Sequence, residues 1–186
     1  MASIHDQLVQ EDKRKYGDYD EALRLIVKWV SPIRGERGLD IGTGTGNLAG
    51  RLIDEGAVMV GVDQSKEMLK VCQRKFPKME TKLGNFLALP YLDGKFDFVV
   101  SSFALHHLTK DQTLMAIQEM RRVLKPHGRI CIADLMIDRE ASTVHVEDED
   151  YIPFLKLIEL FENSGYITKR VKVNELLNVV LAVPIR

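Results

Sequence analysis

Three glycines on alternate positions, Gly42, Gly44 and Gly46, directly follow the short apolar run of residues 37–41. Because glycine carries no side chain, a loop of this kind between a strand and a helix lets a ligand lie against the bare backbone. Two ligands suit such a loop: a dinucleotide whose pyrophosphate rests on the helix start, or a smaller adenosine compound. The first would indicate hydride transfer and the second methyl transfer, whereas a tight turn without a ligand is the third interpretation.

The residues that flank this loop favour the smaller adenosine ligand. The dinucleotide fingerprint G-x-G-x-x-G has a third glycine that allows the helix to pack closely on the strand, and Asn47 stands at that position. Asp63 ends the next apolar run about twenty residues after the first glycine, where a carboxylate can accept hydrogen bonds from both ribose hydroxyls. A carboxylate is also favoured at a helix N-terminus, and the two interpretations of Asp63 do not exclude each other.

The composition is that of one globular domain covering residues 1–186. Hydrophobic residues make up 45% and charged residues 28%, and the formal net charge of -1 argues against a nucleic-acid partner, which requires a basic patch. Two cysteines are too few for a disulfide framework or a structural zinc site, and no metal is expected. Residues 1–17 lack the apolar core of a signal peptide, and no apolar stretch is long enough to span a bilayer. We therefore expect a cytoplasmic protein without a membrane partner.

Strand-like apolar runs alternate with segments of helical spacing along the chain. The alternation predicts an α/β fold, doubly wound around a mostly parallel sheet, with right-handed crossovers and helices on both faces. The connection between the last two strands is too short for a parallel crossover, so that pair should be antiparallel. The predicted strands are 37–41, 57–63, 79–83, 95–102, 129–135, 166–173 and 178–183, and the predicted helices are 18–30, 47–55, 66–76, 110–124 and 151–164.

Several residues mark where these elements begin and end. Ser65 is an N-cap residue for the third helix, and Thr109 with Gln112 forms a capping box for the fourth. Pro and Gly within residues 125–128 predict the end of that fourth helix ahead of the fifth strand. Gly165 stands at the C-cap position of the last helix.

Three parts of the chain are expected at its surface. Residues 1–30 form an N-terminal helical cover, and the long segment 135–150, which has no clear element, is typical of a substrate lid. Arg121 and Arg122 on the fourth helix are expected on a solvated face. The two segments are therefore candidates for the part of the protein that selects the substrate.

The chain resembles the class I S-adenosylmethionine-dependent methyltransferases, and within them the small-molecule type of ubiquinone and menaquinone biosynthesis. Four segments carry the resemblance in this order and spacing: residues 39–49 (LDIGTGTGNLA), 60–69 (VGVDQSKEML), 84–108 (GNFLALPYLDGKFDFVVSSFALHHL) and 122–135 (RVLKPHGRICIADL). The resemblance implies a Rossmann-like, seven-stranded sheet whose last strand is inserted antiparallel. It also implies S-adenosyl-L-methionine as the cofactor and a small-molecule methyl acceptor as the partner.

The resemblance also implies, position by position, a set of cofactor-binding residues. The side chains that would hold the methionine end, the ribose and the adenine all follow predicted strands. The family commonly has Asp where this chain has Asn85, whose amide keeps an acceptor oxygen but loses the charge. The methionine end would be surrounded by Asp40, Gly42, Thr43, Gly44 and the backbone of Ser101 and Ser102, the ribose held by Asp63, the adenine bordered by Gln64, Met68, Asn85 and Phe86, and the site closed by Tyr16 or Tyr19.

Methyl transfer from a sulfonium makes few demands on catalytic side chains. The reaction is an in-line displacement in which the cofactor carries the chemistry and the protein positions, desolvates and aligns the reactants. A base near the strand ends is needed only where the nucleophile must lose a proton. The candidates are His106, His107 and Asp134, and the resemblance implies a structural or cofactor-side role for at least one of the two histidines.

Three other classes of protein stay open at this point. A nicotinamide-dependent oxidoreductase is disfavoured by Asn47, and a non-catalytic S-adenosylmethionine-binding protein would carry the same binding motifs. A macromolecular methyltransferase would be expected to show a basic cluster or an N-P-P-Y tetrapeptide, and residues 101–104 read SSFA instead. A homodimer is compatible with the sequence.

Overall fold

A computed structural model describes residues 18–137 and 152–185 of the chain. Helices and strands alternate through the first part of the described chain, and the last two strands follow each other directly. The elements are α1 (Tyr19–Val30), β1 (Arg37–Ile41), α2 (Asn47–Asp54), β2 (Val58–Asp63), α3 (Lys66–Lys75), β3 (Glu80–Leu83), β4 (Phe96–Ser102), a 3₁₀ turn (Leu105–His107), α4 (Lys110–Val123), β5 (Leu124–Ile137), β6 (Ile152–Pro153), α5 (Phe154–Asn163), β7 (Tyr166–Lys172) and β8 (Leu177–Pro184).

The strands form one twisted sheet in the order β3-β2-β1-β4-β5-β8-β7, with the two-residue strand β6 paired to the end of β5. Strands β3, β2, β1, β4 and β5 are parallel, and β8 is inserted antiparallel between β5 and β7. This topology confirms the predicted fold class. The order reverses between β1 and β4, and ligands bind beyond the carboxyl ends of the strands at such a point.

Helices cover both faces of the sheet, as the continuous apolar strands require. On one face α1, α2 and α3 bury a cluster that includes Leu23 and Leu52, against Phe98 and Val100 of β4. On the other face α4 and α5 bury a second cluster around Leu39 and Ile41 of β1. The two layers fix the carboxyl ends of β1 and β4 side by side.

The predicted helix caps are confirmed. The Ser65 side chain accepts a hydrogen bond from the Met68 N–H at the start of α3, and Thr109 and Gln112 form the predicted capping box at the start of α4. Gly165 follows α5 with a left-handed φ of 84°.

Helix α4 ends at Val123, within one residue of the predicted end, but the predicted start of β5 was wrong. The strand begins directly after α4 at Leu124 and includes residues 125–128. Phe96 pairs with Leu124 but Phe98 pairs with Arg129, so the four intervening residues of β5 bulge opposite a single residue of β4. Proline and glycine are tolerated in a strand at such a bulge, which explains how residues 125–128 fit into β5.

Other differences are smaller. Arg121 is exposed as predicted. Arg122 is only 31% exposed, because its guanidinium binds Glu119, Asp93 and the carbonyl oxygens of Leu89 and Tyr91.

Helix α5 begins at Phe154 instead of residue 151, and the first three residues of the predicted lid, Leu135–Ile137, belong to β5. The remainder of that lid, Tyr16 and the rest of residues 1–17 lie outside the described residues, and the single-domain assignment stays a prediction. Among the helices that the structure describes, none has the length and apolar character needed to cross a membrane.

Candidate functional site

The backbone conformation of the glycine loop would be strained for residues other than glycine. Gly42, Gly44 and Gly46 have φ angles of 72°, 52° and 85°, in the left-handed region that favours glycine. A Cβ added to Gly42 would lie 2.5 Å from the Cβ of Ala104, whereas a Cβ added to Gly44 would meet nothing within 4 Å. The backbone of Gly44 is therefore open on the side where a side chain would stand, as binding against bare backbone requires.

The close packing of helix α2 does not use a third glycine of the dinucleotide fingerprint. Added Cβ atoms on Gly46 and Gly50 would lie 2.9 Å and 2.4 Å from the ring of Phe76, so these two glycines permit the approach. Asn47 has a different environment, since its side-chain oxygen accepts a hydrogen bond of 2.8 Å from the Lys75 ammonium. The loop thus lacks the packing device that dinucleotide-binding proteins have at this position.

Asp63 joins the glycine loop to the start of helix α3. One carboxylate oxygen accepts the Gly44 N–H at 2.8 Å, and the other accepts the Ser65 N–H at 2.8 Å. This geometry supports the helix N-terminal interpretation of Asp63. Each carboxylate oxygen can accept more than one hydrogen bond, so the predicted ribose contact is compatible with these two.

Asp40, in β1 directly before the glycine loop, is a carboxylate with unusually deep burial. Its side chain is 1% exposed, and one oxygen, Oδ2, accepts a hydrogen bond of 2.9 Å from the Thr43 hydroxyl. The other oxygen, Oδ1, has no hydrogen-bond partner of normal geometry. Burial raises the pKa of Asp40 to about 7; the Thr43 hydroxyl opposes the rise, the charge of Asp63 adds to it, and the nearby Ala49 N–H opposes it. The ionised form of a buried carboxylate whose oxygen lacks a donor is stabilised by a positive charge held nearby.

The end of β4 supplies the next part of the site. The Ser101 hydroxyl donates a hydrogen bond of 2.8 Å to the Ile41 carbonyl, so this side chain holds β4 to β1. Ser102 is half-buried and leaves its backbone at the same edge. Phe103 follows with a φ of 52°, which is rare for a large side chain, and its ring stacks on Tyr19 at 4.9 Å. Sequence reasoning missed Phe103 because nothing in the residue type signals a left-handed backbone.

The four predicted adenine neighbours do not share one environment. Gln64 is exposed and Met68 half-buried after β2, and Asn85 is exposed after the neighbouring strand β3. The Asn85 side-chain oxygen accepts the Leu87 N–H at 3.0 Å. Phe86 is only 6% exposed and packs in the apolar cluster under α4, so its ring belongs mainly to the core.

Asp134 and His106 form a buried pair at the end of β5. The distance between His106 Nδ1 and Asp134 Oδ1 is 2.5 Å, and the two side chains are 2% and 0% exposed. The carboxylate also accepts the N–H groups of Ala104, Leu105 and Leu135 at 3.1, 2.7 and 2.8 Å. Because an ionised carboxylate only accepts, Nδ1 carries a proton and Nε2 is the basic nitrogen of the imidazole in its neutral form.

The three predicted base candidates therefore differ in position. Asp134 is enclosed by backbone donors and can act only through His106. His107 is exposed, and its ring lies 4.0 Å from that of His106. Ala104 lies beside Gly42 and also binds Asp134, so a three-residue segment connects the glycine loop to the histidine.

The comparisons with known proteins agree with this geometry. Residues 39–128 match the family described as methyltransferase domain. An uncharacterized methyltransferase of Bacillus licheniformis is 33% identical over 171 residues, which cover 89% of this chain and 78% of that protein. A demethylmenaquinone methyltransferase of Renibacterium salmoninarum is 36% identical over 126 residues, 68% of this chain and 52% of that protein.

The crystal structure of a SAM-dependent methyltransferase from Methanosarcina mazei superposes with a TM-score of 0.72 at 17% identity, over 86% of this chain and 96% of that one, which is a likeness of fold. The chain belongs to the class I S-adenosylmethionine-dependent methyltransferases. The predictions of the enzyme class and of the cofactor are thereby confirmed. The family assignment favours neither a nicotinamide-dependent oxidoreductase nor a non-catalytic S-adenosylmethionine-binding protein.

Proposed function

We propose that this methyltransferase acts on a small-molecule acceptor and binds its cofactor across the carboxyl ends of β1, β2 and β4. The observation that carries the proposal is the Asp40 oxygen without a donor, buried behind a loop whose Gly44 backbone is open. When bound, S-adenosylmethionine supplies a methyl group on a positively charged sulfonium. A carboxylate with one oxygen that lacks a donor is suited to the positive charges at the methionine end of that cofactor.

The other predicted cofactor residues are proposed around this charge. The backbones of Gly42, Thr43 and Gly44, with those of Ser101 and Ser102, face the methionine end. At the other end Asp63 accepts the ribose hydroxyls. Gln64, Met68 and Asn85 border the adenine, and Phe86 contributes an apolar edge from the core.

We assign the role of general base to His106 and a positioning role to Asp134. The Asp134 carboxylate fixes the ring through Nδ1, so that Nε2 can take a proton from the acceptor as in other carboxylate–histidine pairs. His107 is the alternative base. In the presence of a methyl acceptor, His106→Ala is expected to lower kcat by about 10²–10⁴-fold and His107→Ala by only a few-fold. Turnover within a few-fold of wild type for alanine variants of both histidines and of Asp134, with the fold intact, would rule out a base among them.

The charge of the chain and the name of one relative support a small-molecule acceptor. The formal net charge is -1, and no basic excess points to a nucleic acid. The Renibacterium relative is named for demethylmenaquinone, a quinone-type small molecule, and this supports the same general class here. A macromolecular acceptor is the alternative, and an acceptor panel that includes protein and RNA substrates distinguishes the two.

Ligand binding tests the cofactor site directly. The thermal unfolding midpoint should rise with S-adenosylmethionine and with S-adenosylhomocysteine but not with NAD at equal concentration, because a ligand that binds the native state stabilises it. Stabilisation by NAD alone would contradict the proposal.

The variant Gly44→Ala tests whether the cofactor binds against the glycine loop, and Gly35→Ala is its matched control. Gly44 and Gly35 both have positive φ angles, and an added Cβ would meet no atom at either position. Both alanine variants should therefore lose similar stability from backbone strain, but only Gly44→Ala should weaken S-adenosylhomocysteine binding, by at least tenfold in calorimetry. Equal affinity in the two variants would place the cofactor away from the loop.

A further inference from the structure

A cavity of about 250 Å³ lies between the start of α4 and the start of α5. Ligand sites for drug-sized molecules span roughly 300–1,000 Å³, so this volume suits a ligand of about one ring. His106 forms part of the wall. Its apolar part consists of Leu108, Ile152, Pro153, Leu157 and Leu160, and two threonines and two lysines complete it.

The cavity is connected to the glycine loop through a short segment. Ala104 lies beside Gly42, and Ala104 and His106 both bind the Asp134 carboxylate. Two residues of extended chain span at most about 7 Å, so the histidine wall of the cavity lies close to the loop. The cavity therefore lies close both to His106 and to the glycine loop, where the methionine end of the cofactor is proposed.

The charges around the cavity have one predominant sign. Lys110 and Lys156 line it, and no carboxylate does so within the described chain. Lys156 pairs with Glu159 at 2.5 Å, and Glu159 is outside the lining. Among the described residues the lining thus carries two cations, one of which is paired with this anion. The N-terminal end of the 14-residue helix α4 adds a positive dipole.

The two threonines of the lining contribute little recognition of their own. The Thr113 hydroxyl donates to the Thr109 carbonyl at 2.9 Å, and the Thr109 hydroxyl accepts the Gln112 N–H at the helix cap. Recognition of a polar group in the cavity therefore depends on His106 and on the two lysines.

We propose that this cavity binds the methyl acceptor and that the acceptor is a small apolar molecule, of about one ring, with an acidic hydroxyl or thiol. This assignment rests on the proposed function. The acceptor proton moves to His106 Nε2, and a lone pair of the acceptor oxygen or sulfur forms the bond to the methyl carbon. The carbon–sulfur bond of the sulfonium breaks and leaves its electron pair on sulfur, giving S-adenosylhomocysteine and the methylated acceptor. His106 then releases the proton to water.

The probes for this site are 4-nitrophenol and 4-nitrothiophenol, whose ionised forms have distinct visible absorption bands. Each is titrated into protein saturated with S-adenosylhomocysteine, whose own binding is measured separately by calorimetry. At least one probe should bind and become ionised at a lower pH than in free solution, because the rim cations favour its anion. This readout does not depend on turnover.

Three variants locate the bound probe. Leu108→Trp fills the cavity and should abolish probe binding, and the double variant Lys110→Glu with Lys156→Glu should weaken it at least tenfold. Lys110 and Lys156 both stand in the first turn of a helix, where an acid is favoured, so the fold should survive both substitutions. The control is Lys95→Glu, which makes the same type of substitution once, on an exposed residue before the amino end of β4, and should leave probe affinity unchanged.

The outcomes separate this proposal from the proposed function. Failure of both probes to bind, or unchanged probe affinity in the cavity variants, overturns the acceptor site while S-adenosylhomocysteine binding stays intact. Loss of S-adenosylhomocysteine binding by the wild type would instead contradict the proposed cofactor site. In that case the same titrations of the protein alone still decide whether the cavity takes an acidic phenol or thiol.

Discussion

Asp40 in β1 and Asp134 in β5 are two buried carboxylates near the same edge of the sheet, yet their surroundings are opposite. Asp134 is fully buried and accepts three backbone N–H groups and the His106 imidazole. Asp40 is 1% exposed and has the Thr43 hydroxyl as its one donor of normal geometry, while Oδ1 has none. The fold satisfies the hydrogen-bonding capacity of Asp134 but leaves one oxygen of Asp40 without a donor.

The difference distinguishes a carboxylate with a structural role from one for which we propose a role in binding. Hydrogen bonds to an ionised carboxylate compensate for its lost hydration, and an uncompensated one destabilises the folded protein. Accordingly, burial raises the pKa of Asp40 to about 7. Asp134 therefore organises the segment after β4, whereas Asp40 is the group whose free energy a bound cation would improve.

The largest expected effect is on stability. Asp134→Asn should lower the free energy of unfolding by about 3–5 kcal/mol, because the amide removes the charge paired with His106 and turns an N–H group toward backbone donors. Asp40→Asn should leave the unfolding free energy at pH 8 unchanged or raise it, since it removes an uncompensated charge. Urea unfolding measures both, and equal losses in the two variants would erase the contrast between the carboxylates.

The second effect is a pH dependence that belongs to Asp40. Between the unfolded pKa near 3.9 and the folded pKa of about 7, the native carboxyl keeps a proton that the unfolded chain has lost. The wild-type unfolding free energy should therefore fall by about 1.4 kcal/mol per pH unit over this range, relative to Asp40→Asn, and level off above pH 7.

The neighbouring Cys72 thiol does not contribute to this dependence of the unfolding free energy on pH. The buried Cys72 thiol has its pKa raised to about 11 by burial, so it stays neutral throughout the range. A flat difference between wild type and Asp40→Asn from pH 4 to pH 8 would show that the carboxyl titrates normally.

The third effect is on cofactor affinity. At pH 8 Asp40→Asn should weaken S-adenosylhomocysteine binding at least tenfold, about 1.4 kcal/mol, because the ammonium of the ligand loses its counter-charge. The wild-type affinity should rise between pH 6 and pH 8 as Asp40 ionises, and the variant should lack this rise. Calorimetry is the measurement, with Asp93→Asn as the control, because Asp93 is exposed and outside the proposed site. Parallel pH profiles for wild type and Asp40→Asn would exclude a direct contact.

The smallest effect concerns Thr43, whose hydroxyl opposes the rise in the Asp40 pKa. Thr43→Val removes that donor and should cost about 1 kcal/mol of stability at pH 8, where the carboxyl is ionised. The loss should shrink at pH 5, where the carboxyl is protonated. A loss of the same size at both pH values would indicate a packing effect instead.

Local signals sufficed for the elements that depend on short-range chemistry. The strand 37–41, the Ser65 cap and the Thr109–Gln112 capping box follow from apolar runs and from side chains that bind nearby backbone groups. The bulge in β5 was not predictable in the same way, since the tolerance for Pro126 and Gly128 depends on pairing with β4. The network of Arg122 likewise involves Asp93, distant in sequence, so helical periodicity alone placed this arginine wrongly.

The sequence by itself determined the fold class, the position of the glycine loop and the family to which the chain belongs. These depend on residue types and on spacing along the chain. Only the tertiary structure decided which carboxylate is satisfied by hydrogen bonds, how Asp134 fixes His106, and which residues enclose the cavity beside His106. The physical reason is that hydrogen-bond satisfaction and burial depend on partners brought together from β1, β4 and β5, and no local stretch of sequence specifies those contacts.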